Sequence, residues 1–116
     1  MALSTTLISA TSQGSAQAVY QSTVTGSQVG NAITSMIICN THASTSTDVT
    51  VYAVPNNSGS YGAASASNMI IKALTLPAGE TVSLDQEKLV LGDHDQVMAF
   101  ASVTNILAFT ISTLPV

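Results

Sequence analysis

Apolar and polar residues alternate with a period of two along most of the chain after its N-terminal quarter, and this pattern predicts short β-strands. Asp48–Val54 alternates strictly, and its two faces are Val49, Val51 and Ala53 on one side and Thr50, Tyr52 and Val54 on the other. Pro55 ends this segment, because proline has no backbone N–H for a strand ladder. Helix is the weaker alternative, since only Ser60–Ile70 is rich in alanine and its glycine and serines lower helix propensity.

Turn residues separate the strand-like segments at short intervals. In Pro77–Glu80 the glycine permits the positive φ of a type II turn, and Asp85–Lys88 is predicted as a further turn. About eight short strands with this spacing are typical of a β-sandwich. We therefore predict an all-β fold, a single antiparallel β-sandwich of jelly-roll or immunoglobulin-like type. The predicted strands are a weaker one at Ala16–Tyr20 and stronger ones at Ala32–Asn40, Asp48–Val54, Asn68–Leu76, Thr81–Leu84, Leu89–Leu91, Gln96–Ser102 and Ile106–Thr113.

The N-terminal segment differs from the rest of the chain. Residues 1–31 carry no charge, are rich in Ser, Thr, Gln and Gly, and contain only scattered aliphatic residues. This composition favours an extended arm over a packed element, so we assign residues 1–31 to an N-terminal arm and residues 32–116 to the β-sandwich domain. We expect such an arm to be sensitive to proteases in the free protein and to become ordered on assembly.

A long polar loop follows the most regular strand. Pro55–Ser67 consists mainly of Asn, Ser, Gly and Ala around Tyr61. Connections of this length are usually functional or mobile rather than plain links between strands. The loop is therefore a candidate contact for a partner or a receptor.

Charge is scarce and unevenly distributed. Only eight of the 116 side chains are charged, none is arginine, and the net charge is −4. Six of the eight lie between Glu80 and Asp95. Because binding to DNA or RNA relies on several Lys or Arg contacts with phosphates, we expect no nucleic-acid partner. The longest apolar clusters fall far short of the roughly eighteen residues of a membrane span, and no basic leader precedes them, so we expect neither a membrane contact nor a secretory signal.

Residues with potential chemistry are few. The single cysteine, Cys39, excludes an internal disulfide, and its short spacing to His42 supplies only two of the four ligands of a structural zinc site. The acidic turn Asp93–Asp95, together with Asp85 and Glu87, offers oxygen ligands but no EF-hand spacing. The chain contains no Gly-x-Ser-x-Gly nucleophile motif. We therefore predict no catalytic residue, no metal ligand and no cofactor, and we expect a non-enzymatic protein.

A characteristic order of strands and turns runs through Ser35–Asn40, Val49–Tyr52, Leu74–Thr81, Glu87–Leu91 and Asp95–Val97. Over Ile33–Val116 this order resembles the small β-sandwich virion structural proteins of tailed phages, of the decoration or cement type or of the neck- or tail-associated type. The resemblance consists of strands and turns and includes no chemical signature.

The resemblance implies a structural role in a virion assembled in the host cytoplasm. The leading hypothesis is a capsid decoration or cement protein that binds the major capsid protein, with Ala2–Asn31 gripping the lattice. A neck, tail or fibre-associated subunit is the alternative. A host-surface or carbohydrate-binding module, with the Pro55–Ser67 loop as its contact, is more distant. Apolar residues on both faces of strands such as Met69–Leu76 predict a homo-oligomer, a trimer before a dimer.

Overall fold

A computed structural model describes residues 2–84 and 89–116 of the protein. In this part of the chain, nine strands form two packed antiparallel sheets, which confirms the predicted all-β sandwich. Two short 3-10 turns accompany them, at Gln13–Ser15 and Ala66–Asn68. The strands are β1 Ala2–Ile8, β2 Gln17–Gln21, β3 Asn31–Asn40, β4 Thr47–Val54, β5 Met69–Leu76, β6 Thr81–Ser83, β7 Leu89–Leu91, β8 Gln96–Ala101 and β9 Leu107–Pro115.

The two sheets differ in size and strand order. The five-stranded sheet runs β1-β9-β3, and β6 and β7 then pair with opposite ends of β3. The four-stranded sheet runs β2-β8-β4-β5. Strand β1 is therefore one edge of the five-stranded sheet, opposite β6 and β7, and β2 and β5 are the two edges of the four-stranded sheet.

The core lies between the sheets and is almost entirely aliphatic. Ile38 and Phe109 contribute from the five-stranded sheet, and Val49, Val51 and Val97 contribute from the four-stranded sheet. All five side chains are buried, as the alternation of apolar residues in their strands predicts. Continuous burial of apolar surface of this kind is the main stabilising contribution to a small sandwich.

The prediction of a separate N-terminal arm is wrong for the described residues. Strand β1 pairs with β9 along its whole length, and β2 pairs with β8. Ile8 and Val19 are buried in the core between the sheets. Residues 2–31 therefore belong to the sandwich itself. Two of the aliphatic residues that looked scattered, Ile8 and Val19, supply inward positions of β1 and β2, because the rest of an edge strand can remain polar.

The eight predicted strands are all present, with bounds that differ by one or two residues. Gly79 adopts the expected positive φ of 76°, and Glu80 N–H donates to the Pro77 carbonyl to close the turn. The predicted turn at Asp85–Lys88 lies outside the described residues.

Candidate functional site

Cys39 and His42 do not form a metal site. Cys39 is a half-buried residue of β3, and the Nδ1 atom of His42 accepts hydrogen bonds from the backbone N–H groups of Ser44 and Thr45, at 3.1 and 3.0 Å. His42 therefore shapes the turn between β3 and β4. Within residues 2–84 and 89–116, no group of three or more His, Cys, Asp or Glu side chains could hold a metal ion.

The acidic turn after β7 uses its carboxylates to hold the protein's own backbone. Asp95 accepts hydrogen bonds from Asn56 N–H at 2.7 Å and from Gly92 N–H at 2.8 Å. Asp93 accepts one from Val24 N–H at 3.0 Å and contacts the His94 ring at 2.9 Å. These contacts join three separate chain segments, so the turn is a structural clamp. Asp85 and Glu87, the other acidic residues considered as oxygen ligands, lie outside the described residues.

Hydrogen bonding also explains the protonation behaviour of this turn. The pKa of Asp93 lies below its ordinary value chiefly because Val24 N–H donates to the carboxylate; the His94 contact acts in the same direction, and partial desolvation opposes both. The pKa of the neighbouring Tyr61 is raised by desolvation and then by the negative charge of Asp93. Both pKa shifts stabilise the form present at neutral pH, the ionised carboxylate of Asp93 and the neutral phenol of Tyr61. The hydrogen bonds of the clamp are therefore retained at neutral pH.

The Pro55–Ser67 loop lies against the molecule and is bonded to it. Tyr61 donates its hydroxyl to the Ser22 carbonyl at 3.1 Å, and its ring lies 4.8 Å from that of His94. Gln96 donates its side-chain amide to the Gly62 carbonyl at 2.8 Å. Tyr61 therefore joins the loop to Ser22 and His94 of its own chain.

This loop and the 9–16 segment cover the outer side of the four-stranded sheet around Tyr52 and Gln96, hereafter the covered face. Tyr52 points to this side and is fully buried, and its hydroxyl donates to Gln13 Oε1 at 3.0 Å. Burial raises the pKa of the Tyr52 phenol. Val54 and Gln96, which are paired residues of β4 and β8, are buried on the same side. The chain thus closes this face with its own loops.

The outer side of the five-stranded sheet, hereafter the open face, is different. Its outward positions alternate with core positions except at the register shift between Ile33 and Ser35 in β3, and they are Ser, Thr, Ala, Cys and larger aliphatic residues. No charged residue occurs in any of the described strands of this sheet. Its large aliphatic side chains are between 37% and 68% exposed: Leu3, Leu7, Ile37, Val90 and Leu114.

The edge strands of the two sheets also differ. Strand β1 pairs with β9 in one unbroken register of seven residues and contains no charge and no proline. Strand β5 has two register shifts against β4, a positive φ of 49° at Ala73, and the charged residue Lys72. Irregularity and lysine protect an edge strand against pairing with another chain. The β5 edge therefore has this protection and the β1 edge does not.

A cleft of about 380 Å³ opens between the sheets beside β5. Its lining is aliphatic: Ile33, Met36, Ile70, Ile71, Leu84 and Leu89. Leu84 and Leu89 directly flank residues 85–88, which lie outside the described part of the chain. We therefore assign no ligand to this cleft.

Comparison with known proteins adds no assignment: no family model, no curated protein and no solved structure matches this chain. None of the helices among the described residues is long and apolar enough to cross a membrane.

The open face is the feature that sequence reasoning missed. The available signal was the period-two pattern of Leu3, Thr5 and Leu7, which matches the outward positions of β1. The Ser and Thr residues of this segment gave it a polar composition, and that composition led to its interpretation as an extended arm.

Proposed function

We propose that this chain is a non-enzymatic structural protein of a tailed-phage virion, and specifically a capsid decoration protein that binds the major capsid protein and stabilises the head. The observation that carries the proposal is the open face: a broad sheet surface with exposed aliphatic side chains and no charged residue in its described strands, which is suited to packing against another subunit of an assembly, a second copy of this chain included. Surfaces of this kind mark sites of protein–protein contact. The resemblance of residues 33–116 to phage virion proteins supplies the class of assembly.

The way the protein uses its polar groups supports a structural role. Among the described residues, every buried side-chain nitrogen or oxygen has a hydrogen-bond partner. The carboxylates of Asp93 and Asp95 bind backbone N–H groups, and Nδ1 of His42 does the same. These groups are engaged in maintaining the fold. An assembly subunit needs a rigid scaffold of this type and contact surfaces on it.

The mechanism proposed here does not include a gripping arm, because β1 and β2 are built into the two sheets. Attachment instead relies on many modest contacts of rigid sheet and loop surfaces, repeated across a lattice that holds its partners at high effective concentration. Since these surfaces contain few charges, attachment should depend only weakly on salt.

The test is a mass-spectrometric inventory of purified particles from the phage that encodes this chain. We expect a copy number comparable with that of the major capsid protein. Adding the protein to particles that lack it should raise the temperature at which the heads break, at low and at high salt. A copy number that is a small fraction of the capsid protein's would favour a neck, tail or fibre position. Absence from the particle, or release by moderate salt, would contradict the proposal.

A further inference from the structure

We infer that the open face is the contact between two copies of this chain, which pack face to face about a two-fold axis. The inference concerns the isolated protein and does not depend on a position in a virion; attachment to a capsid would then use the surfaces that the dimer leaves exposed. The structure leaves this face uncovered although it covers the equivalent face of the other sheet, and β1 extends the same uncharged surface to an unprotected edge.

The absence of charge points to a second copy as the partner. In a two-fold contact the same surface patch meets itself, so a charge near the two-fold axis would lie close to an identical charge. The charged residues that the structure describes all lie outside the strands of this sheet: Asp48, Lys72, Glu80, Asp93 and Asp95. Asp85, Glu87 and Lys88 lie outside the described residues. The described strands of the open face can therefore meet their own copy without like-charge repulsion. A foreign partner guided by charge would find no complementary group on it.

The size of the face also fits a dimer. The sheet is about four strands wide at roughly 4.8 Å per strand, and about nine residues long at roughly 3.3 Å per residue, giving a footprint on the order of 600 Å². Two such footprints total about 1,200 Å², which is at the lower limit of stable, specific interfaces. We therefore expect a dimer with a dissociation constant in the micromolar range. A face packed on itself produces a dimer rather than the trimer expected from the sequence alone.

Ile37 and Leu74 form a matched pair for the test. Ile37 lies within the open face and is 37% exposed, whereas Leu74 lies on β5 in the other sheet and is 38% exposed. Sedimentation velocity over the micromolar range should show a monomer–dimer equilibrium for the wild type and for Leu74→Lys. Ile37→Lys should weaken the dimer about tenfold or more, because it introduces a desolvated like charge into both halves of the contact.

Ile37→Glu provides a check that does not depend on the stability of any one variant. Ile37→Lys and Ile37→Glu should each be monomeric alone, and mixing them should restore association, because the charges are then opposite. Thermal melting of each variant separates lost association from lost folding. A wild type that stays monomeric throughout the range, a trimer, or a Leu74→Lys variant that loses the dimer as Ile37→Lys does would overturn the inference.

Discussion

The outer faces of the two sheets differ in whether the chain's own loops cover them, although antiparallel strands form both. On the covered face, Tyr52 and Gln96 are buried because the 9–16 segment and the 55–67 loop fold back over them and satisfy their polar atoms. On the open face, Leu3 and Leu7 remain exposed, and none of the described strands contains a charged residue. A buried polar group needs a hydrogen-bond partner close by. The buried polar groups of the covered face therefore bond to the covering segments, whereas the open face exposes uncharged side chains that can contact another protein surface.

The largest expected effect comes from truncating the covered face at its centre. Tyr52→Ala should lower the free energy of unfolding by about 3–5 kcal/mol, because it leaves a cavity where a large buried ring stood. Tyr52→Phe should lower it by about 1 kcal/mol, since only the hydrogen bond to Gln13 is lost. Leu3→Ala on the open face should change it by less than about 0.5 kcal/mol in dilute protein. Urea unfolding measures all three, and equal losses at Tyr52 and Leu3 would remove the distinction between the faces.

The packing of the covering segments can be tested with two glycines. A Cβ atom at Gly62 would lie 2.9 Å from the Pro55 carbonyl oxygen and 3.1 Å from Val54 Cγ1, whereas a Cβ at Gly14 would meet nothing within 4 Å. Gly62→Ala should therefore destabilise the protein by about 1–3 kcal/mol through overpacking. Gly14→Ala, in the other covering segment, should be close to neutral. A Gly62→Ala variant as stable as the wild type would mean that the loop does not pack tightly on the sheet.

The smallest effect is the pH dependence of the clamp that anchors the covering loop. The pKa of Asp93 is lower in the folded protein than in the unfolded chain, so its stabilising contribution is complete above about pH 4 and is lost as the pH falls through the folded value. The melting temperature of Asp93→Asn should lie slightly below that of the wild type at neutral pH, and the two should converge on acidification. A difference that persists at low pH would assign the effect to packing instead of charge.

Much of the fold could be predicted from the sequence, because strand periodicity and turn residues are local signals. Strand β4 and the turn at Gly79 are examples. Strand β1 was missed because Ser4 and Thr6 occupy inward positions at an edge where the sandwich is only partly closed. The difference between the two faces could not be predicted at all. It depends on contacts such as Tyr52 with Gln13 and Tyr61 with Ser22, which join residues 39 positions apart.

Hydroxyl-radical footprinting at low and high protein concentration tests the central claim most directly, because it reports the solvent contact of individual side chains on both faces. The account predicts that Tyr52 is protected at every concentration, while Leu3, Leu7 and Ile37 are labelled in dilute protein and become protected as the concentration rises through the micromolar range. Labelling of the open face that does not change with concentration, or strong labelling of Tyr52 in folded protein, would contradict it.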